Sequence, residues 1–405
     1  MSAPADPHLP VRVALLTYST RPRGGVVHTL ALAEALAALG QHVTVWALGR
    51  GGDTGFYRPV DPAVHQRVVP FPDVAGESVG QRVLRSIAVL GGALSAVEAA
   101  GGVADVVHAQ DCISANAAPG CLRTVHHVDH FSTRELRRCH DRAIREPAAH
   151  VCVSSAVAAE LARDWGVRAE VIANGVDAER FGAAAGPLGQ AARAAWRRRL
   201  GPYVLAVGGI EPRKGTLDLI EAMPVLRRAL AAAGRPPLRL VIAGGETLFD
   251  YRGYRAAVEA RAAALGVEPV VLGTVAQDEL PSLVAAAQVF VFPSTQEGFG
   301  LAAMEALAAG VPVVARDLPV LREVFGDSVR SFADGPTAPT MLAAALLDAA
   351  HHPDTGRQTR GRALAARHTW PAAAVAHLAL YRRLLAVDRL PPPGSAGPQA
   401  VPTVA

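Results

Sequence analysis

Two consecutive α/β domains, each a parallel sheet with crossover helices, are the architecture that this 405-residue chain predicts. Three observations carry the expectation. Short apolar, β-rich runs alternate with Ala/Leu-rich stretches from end to end, the pattern of parallel strands joined by helices. A strand, a glycine-containing turn and a helix come in that order twice, at residues 11–17 followed by Gly24-Gly25 and at residues 203–208 followed by Arg213-Lys214-Gly215. Between them, residues 182–201 are rich in Ala, Gly and Arg without an apolar strand pattern, which reads as an interdomain linker. The expected domains are Rossmann-like units at residues 1–185 and 200–369. Ligands collect at the carboxyl ends of strands in open α/β sheets, so two facing sheets would form an interdomain cleft.

In the first half, strands are expected at residues 11–17, 42–48, 67–71, 105–109, 122–128, 150–154 and 169–173. Residues 86–104 form the one segment long enough to suggest a membrane span, but Glu98 and its glycines argue for a soluble helix pair broken near Gly91-Gly92. In the second half, strands are expected at 203–208, 238–243, 269–273, 288–292, 311–315 and 328–332. A last helix, about 370–387, has an apolar face built on Tyr381, Leu384 and Leu385 and is expected to cross the domain junction and pack back on the first domain. Residues 1–10 and the Pro/Gly/Ala-rich tail 388–405 lack apolar periodicity and read as loose ends.

Apolar residues make up 50% of the chain and charged residues 19%, the balance of a folded globular protein. The net charge of +4 is mild and the charges are spread out, which argues against nucleic acid as a partner. Residues 132–146 hold a local excess of arginine, either a solvated helix face or a contact with an acidic acceptor or an anionic membrane surface. Four cysteines without a CxxC pair read as reduced core thiols, and no signal peptide is evident, so a cytoplasmic protein is expected, with peripheral contact at the inner face of the membrane as an option.

The segment Ser294-Thr295-Gln296-Glu297-Gly298-Phe299-Gly300-Leu301-Ala302-Ala303-Met304-Glu305 places two carboxylates eight residues apart, one in a loop and one in a helix, with two glycines between them. Glycine lets a backbone approach a ligand, and a helix starting near Gly300 turns unpaired N–H groups toward the same space. Such a corner suits an anionic or hydroxyl-rich ligand; an ordinary strand–loop–helix corner is the alternative. Glu211-Pro212-Arg213-Lys214-Gly215 puts two cations where a diphosphate could lie, or forms a solvated pair beside Glu211. Gly24-Gly25 is a tight turn or a phosphate contact, lacking both the GxGxxG spacing and a GKS/GKT triplet. His126-His127-Val128-Asp129-His130 ends a strand, so His126 and Val128 should face one side and His127 and Asp129 the other. No zinc spacing accompanies them. Asp111 is either a hydroxyl acceptor or a helix N-cap.

With these residues placed, the chain closely resembles the retaining GT-B glycosyltransferases of glycosyltransferase family four, the glycosyl transferases of group 1. The resemblance covers nearly the whole chain. It rests on the Gly24-Gly25 loop, Val153-Ser154-Ser155, Ile172-Ala173-Asn174-Gly175-Val176-Asp177 with Phe181, Glu211 through Gly215, and Glu297 through Glu305. It implies that Glu297 contacts the donor sugar with backbone amides around Gly298, Phe299, Gly300 and Leu301. Glu305 would hold the nucleotide ribose, and Lys214 the diphosphate leaving group. Gly24-Gly25 would approach that group from the other domain, with His126 near the transferred sugar. Gly273 and Thr274, in Val271-Leu272-Gly273-Thr274-Val275, would pair with the nucleobase, and His127, Asp129 and Asp111 are acceptor-side candidates.

The resemblance further implies hexose transfer from a UDP- or GDP-linked sugar to a hydroxyl of a glycan, lipid or small molecule, with retention at the anomeric carbon and no cofactor or essential metal. One departure stands out. Many members carry an Arg in a Gly-Arg pair some five residues before the lysine, whereas here the strand ends Val207-Gly208-Gly209-Ile210. Either Arg213 takes over or diphosphate binding weakens. Two other readings share the scaffold: a nucleotide-sugar epimerase, which should lack the paired-glutamate corner, and a binding protein without turnover.

Overall fold

The computed structural model describes residues 9–128, 134–245 and 251–387. The chain forms two compact units, divided between Ala173 and Asn174 and again between Thr369 and Trp370. The expected flexible tail at 388–405 and most of the loose N-terminus lie outside the described residues.

Unit 1 contains β1 (Arg12–Leu16), α1 (Gly24–Ala38), β2 (His42–Arg50), β3 (His65–Phe71), α2 (Val79–Ala99), β4 (Val106–Ala109) and α3 (Cys112–Ala117). It continues with β5 (Leu122–Val125), α4 (Arg134–Arg145), β6 (Ala149–Cys152), α5 (Ser155–Trp165) and β7 (Glu170–Val171). The sheet runs β3-β2-β1-β4-β5-β6-β7 with every pairing parallel. Its central strands are apolar almost throughout because helices cover both faces. On one face Val13, Leu15, Val43 and Val45 pack with Leu30 and Leu36 of α1. On the other, Leu16, Trp46 and Leu48 pack with Leu90 and Leu94 of α2. The capping box at Ser78 and Gln81 starts α2. That helix is continuous from Val79 to Ala99, not a broken pair. A Cβ at Gly91 would lie 3.1 Å from the Ala117 carbonyl oxygen, so this glycine serves close passage of α2 over α3. All four cysteines are free.

Unit 2 opens with α6 (Ala178–Ala185) and α7 (Gln190–Leu200), followed by β8 (Tyr203–Val207), α8 (Thr216–Ala232), β9 (Arg239–Ala243), α9 (Arg252–Ala264), β10 (Val270–Gly273) and α10 (Leu280–Ala286). Then come β11 (Val289–Phe292), α11 (Leu301–Ala308), β12 (Val313–Arg316), α12 (Pro319–Phe325), β13 (Arg330–Phe332), α13 (Ala338–His351) and α14 (Thr355–Arg367). The sheet order is β10-β9-β8-β11-β12-β13, again all parallel. Residues 182–201, expected as a linker, are mostly helical and belong to unit 2. Trp196 and Leu200 are buried one turn apart on α7, and the Trp196 indole donates to Ser282 Oγ of α10 at 3.1 Å. The chain therefore divides earlier than residue 185.

The last helix, α15 (Trp370–Ala386), belongs to unit 1, where Ala374, Tyr381 and Leu384 join the core beside α1. Tyr381 shares a 2.8 Å hydrogen bond with His108 Nδ1 of β4. Among the described residues no helix is long and apolar enough to cross a membrane.

Candidate functional site

In each unit the strand order reverses direction at one place, between β1 and β4 in unit 1 and between β8 and β11 in unit 2. Crevices at the carboxyl ends of such strand pairs are where α/β sheets bind ligands. The residues singled out from the sequence fall largely at these two places.

In unit 2, Lys214 stands in the turn after β8 and Glu297 in the loop after β11, and the Lys214 ammonium donates to Glu297 Oε1. Ser294 Oγ donates to the same oxygen at 3.0 Å, and an Arg213 Nη1 lies 3.6 Å from it. Arg213 is steadied by Glu211 at 3.0 Å, and the Thr295 amide donates to the Arg213 carbonyl at 2.8 Å, tying the two loops together. Burial pushes the Lys214 ammonium below its usual pKa; Glu297 counters that push and Arg213 adds to it. Gly215 has φ +64°, and a side chain there would collide with the Pro293 carbonyl.

Gly298, Phe299, Gly300 and Leu301 continue the Glu297 loop into α11. Phe299 is buried, its ring 5.6 Å from that of His368, so its side chain belongs to the packed interior of unit 2. Gly300 caps α11 at φ +93°; a Cβ there would lie 2.8 Å from the Phe325 ring. This cap supplies no side chain to the first-turn amides. Further along α11, Glu305 is half-buried, and burial pushes its carboxyl up to about 7, against the pull of Arg180 and with a push from Asp177. Gly273 ends β10 and Thr274 follows it, two strands from β8 on the opposite side from β11.

Sequence reasoning missed Arg316, the last residue of β12. It is 1% exposed, pairs with Asp218 of α8 and with Asp334, and donates to the Pro293 carbonyl at 3.0 Å. It thereby fixes the base of the loop that carries Glu297. The available signal was an arginine closing the apolar run Val313-Val314-Ala315.

In unit 1, Gly24-Gly25 begins α1, and a Cβ at Gly25 would lie 3.7 Å from the His126 ring. β5 ends at Val125, so His126 and His127 lie in the following turn and strand alternation does not set their directions. The His126 ring meets that of His28 edge-on at 4.8 Å, burial pushes its pKa down to about 3, and its buried Nε2 has no hydrogen-bond partner. Beside them Gln110, 2% exposed, has neither side-chain polar atom hydrogen-bonded, a feature that attention to Asp111 obscured. Asp111 is the N-cap of α3: it accepts from the Ser114 amide at 2.8 Å, the Ser114 hydroxyl at 2.9 Å and the Tyr18 amide at 3.0 Å. Those bonds occupy the carboxylate expected to meet an acceptor. Asp129 lies outside the described residues. Among the described residues no group of three or more His, Cys, Asp and Glu is arranged to hold a metal ion.

Two parallel α/β units, one with a cation–carboxylate cluster at its strand-order reversal and the other with a glycine turn and a histidine at its own, define a transferase-type scaffold. Residues 22–180 match the family described as Glycosyltransferase Family 4, and residues 193–364 match Glycosyl transferases group 1. The D-inositol 3-phosphate glycosyltransferase of Salinispora tropica is 30% identical over 405 aligned positions, covering 89% of this chain and 82% of that one. A glycogen synthase of Mycobacterium tuberculosis is 30% identical over 319, covering 71% of each. Sucrose-phosphate synthase from Thermosynechococcus elongatus has the same fold, with a TM-score of 0.75 at 21% identity over 93% of this chain and all 100% of that one. The chain belongs to the family-four, group 1 glycosyltransferases, and its fold is GT-B.

Proposed function

We propose that this glycosyltransferase moves a hexose from a UDP- or GDP-linked sugar to an acceptor hydroxyl with retention at the anomeric carbon. The Lys214–Glu297 pair is the observation that supports this most. A desolvated ammonium beside a second cation at a strand-order reversal suits a diphosphate, and charge developing on a leaving group is stabilised best by donors already in place. In this reading Lys214 and Arg213 take the diphosphate, Arg213 standing in for the arginine absent at Gly209. Glu297 turns to the donor sugar, the amides of 298–301 assist it, Glu305 accepts from the ribose, and the backbone at Gly273-Thr274 meets the base. To His126 and the Gly24-Gly25 turn of unit 1 the family resemblance alone gives the transferred sugar and the diphosphate.

The anomeric C–O bond breaks with its electrons passing to the diphosphate. The acceptor oxygen bonds to the same face of the sugar, and its proton passes to the departing diphosphate. The transition state is oxocarbenium-like, and the reaction calls for no metal.

Thermal shift against UDP-, GDP- and ADP-sugars, with and without magnesium, tests donor binding, since a ligand of the native state raises its melting temperature. Stabilisation by one base without magnesium, followed by release of that diphosphate, is the expected result. No response to any nucleotide would overturn the reading.

A further inference from the structure

Arg180 stands in the first turn of α6 and reaches beyond its own helix. Asp177 caps α6, its carboxylate accepting from the Arg180 amide at 3.0 Å, and Phe181, 1% exposed, anchors the next position in the core. The Arg180 Nη2 donates to the carbonyl of Gln277, 97 residues away, in the loop that joins β10 to α10. That loop is a local turn, with the Glu279 and Leu280 amides donating to the Ala276 carbonyl at 3.1 and 3.0 Å. It begins at Thr274, which is itself confined: a Cβ at Gly245, after β9, would collide with the Thr274 hydroxyl. The segment is thus held at its start by the end of β9 and further on by Arg180.

The same helix passes close to Glu305. α6 packs against both α10 and α11, and a Cβ at Gly182 would lie 3.9 Å from the Ala308 carbonyl oxygen, one turn along α11 from Glu305. A bond to one carbonyl leaves the guanidinium its full charge. That charge favours the ionised form of Glu305, while Asp177 opposes it. Of the other elements packed on α11, α10 and β11 carry no ionisable side chain, and Arg316 of β12 is held by Asp218 and Asp334. The charged residues of α14 are Arg357, Arg360, Arg362 and Arg367, of which Arg362 lies against Gly310, past the end of α11.

We propose that Arg180 is a positioning residue for the nucleoside half of the donor, fixing the β10–α10 loop against the helix that adjoins Glu305. The assignment rests on the transferase reading above, in which the backbone at Gly273-Thr274 meets the base and Glu305 the ribose. A loop ordered before the ligand arrives spares binding the cost of ordering it. Lys214 and Arg213 stand in the turn after β8 with partners of their own, Glu297 and Glu211, so the diphosphate end should not feel the loss of Arg180.

The test is calorimetric titration of the full chain and of Arg180→Met with UDP, GDP and pyrophosphate across neutral pH. The expected result is that the nucleoside diphosphate bound by the wild type binds Arg180→Met about tenfold more weakly, while pyrophosphate binds both equally. The midpoint of the nucleotide pH profile should also move upward, because the Glu305 carboxylate loses the cation that favours it. Arg180→Gln can still donate to a carbonyl but has no charge, so it should move the midpoint with a smaller loss of affinity; it decides the matter where Arg180→Met melts too low to titrate. The proposal is overturned if nucleotide and pyrophosphate weaken together, as a brace of the whole unit would require. It is overturned equally if neither weakens, or if the midpoint stays in place in both variants. Failure of the transferase reading would show separately: the wild type would release no nucleoside diphosphate from a sugar donor, whatever Arg180 does to binding.

Discussion

Lys214 and Glu297 are 83 residues apart in the chain and share one hydrogen bond across the carboxyl ends of β8 and β11. Both side chains are mostly buried, at 18% and 10% exposure. Because Ser294 and Arg213 converge on the same carboxylate oxygen, the four residues act as one unit, and the ammonium is held before any ligand arrives. Preorganised charge costs no rearrangement when the reaction charge develops.

Lys214→Ala and Glu297→Gln should each lower kcat by about 100- to 1,000-fold, the range for losing one preorganised stabilising group. The double variant should be little worse than either, since members of one cluster are not additive. Diphosphate release with acceptor present measures the rates, and circular dichroism checks that the fold survives. Full activity in either single variant would remove the cluster from the reaction.

Arg316 anchors the loop that carries this cluster. Arg316→Met leaves Asp218 without its buried partner and the Pro293 carbonyl without its donor, and breaking a buried pair from one side costs about 3–5 kcal/mol. Denaturant melts should show a loss near the lower end of that range, because Asp218 and Asp334 are partly exposed. Nucleotide affinity should fall with it. A neutral substitution would mean that the carboxylates are equally well satisfied by water.

All thirteen strands among the described residues were legible, because parallel strands covered on both faces must be near-continuous apolar runs. What failed has a common physical cause, namely dependence on partners remote in sequence. Residues 182–201 looked like linker since only Trp196 and Leu200 mark their buried side, and their partner α10 begins at Leu280. Gly91-Gly92 looked like a helix break, but the meaning of Gly91 is set by Ala117. Asp111 offered two readings that only the Tyr18 and Ser114 donors could separate. Arg316 has its partners 98 and 18 residues away, so nothing local announces it. The Glu297 loop was legible as a candidate site because its chemistry is contiguous: carboxylate, glycines and helix start follow one another within a single segment.

Unit 1 should be acid-sensitive. Burial holds His126 at about 3, His377 and His150 at about 4, and His108 well below the usual 6.5. The unfolded chain takes up these protons near pH 6.5 and the folded chain only at much lower pH. Stability is therefore complete above pH 6.5 and falls as the pH drops toward 4, by up to about 1.4 kcal/mol per pH unit for each histidine. Hydrogen exchange at pH 7.5 and 5.5 should show unit 1 losing protection before unit 2. Equal protection at both values would mean that these imidazoles are charged in the folded state.

In the proposed site, Glu305 should set the pH dependence of nucleotide binding. Its carboxyl is raised to about 7, so the free protein is a mixture of protonated and ionised forms at neutral pH. For folding alone the sign is unfavourable: the unfolded carboxyl ionises near pH 4.5 and the folded one near 7, so stability declines as pH rises between them and the full cost applies above 7. For a ribose the sign reverses, because only the ionised carboxylate accepts from both hydroxyls. Affinity scales with the competent fraction, which rises about tenfold between pH 6 and pH 8 for a group titrating at 7. Titration of the matching nucleoside diphosphate across that range should show this rise, and Glu305→Gln should flatten it while raising the melting temperature above pH 7. A flat wild-type profile would take Glu305 out of the nucleotide site, because the buried carboxyl would then titrate without any effect on the ligand.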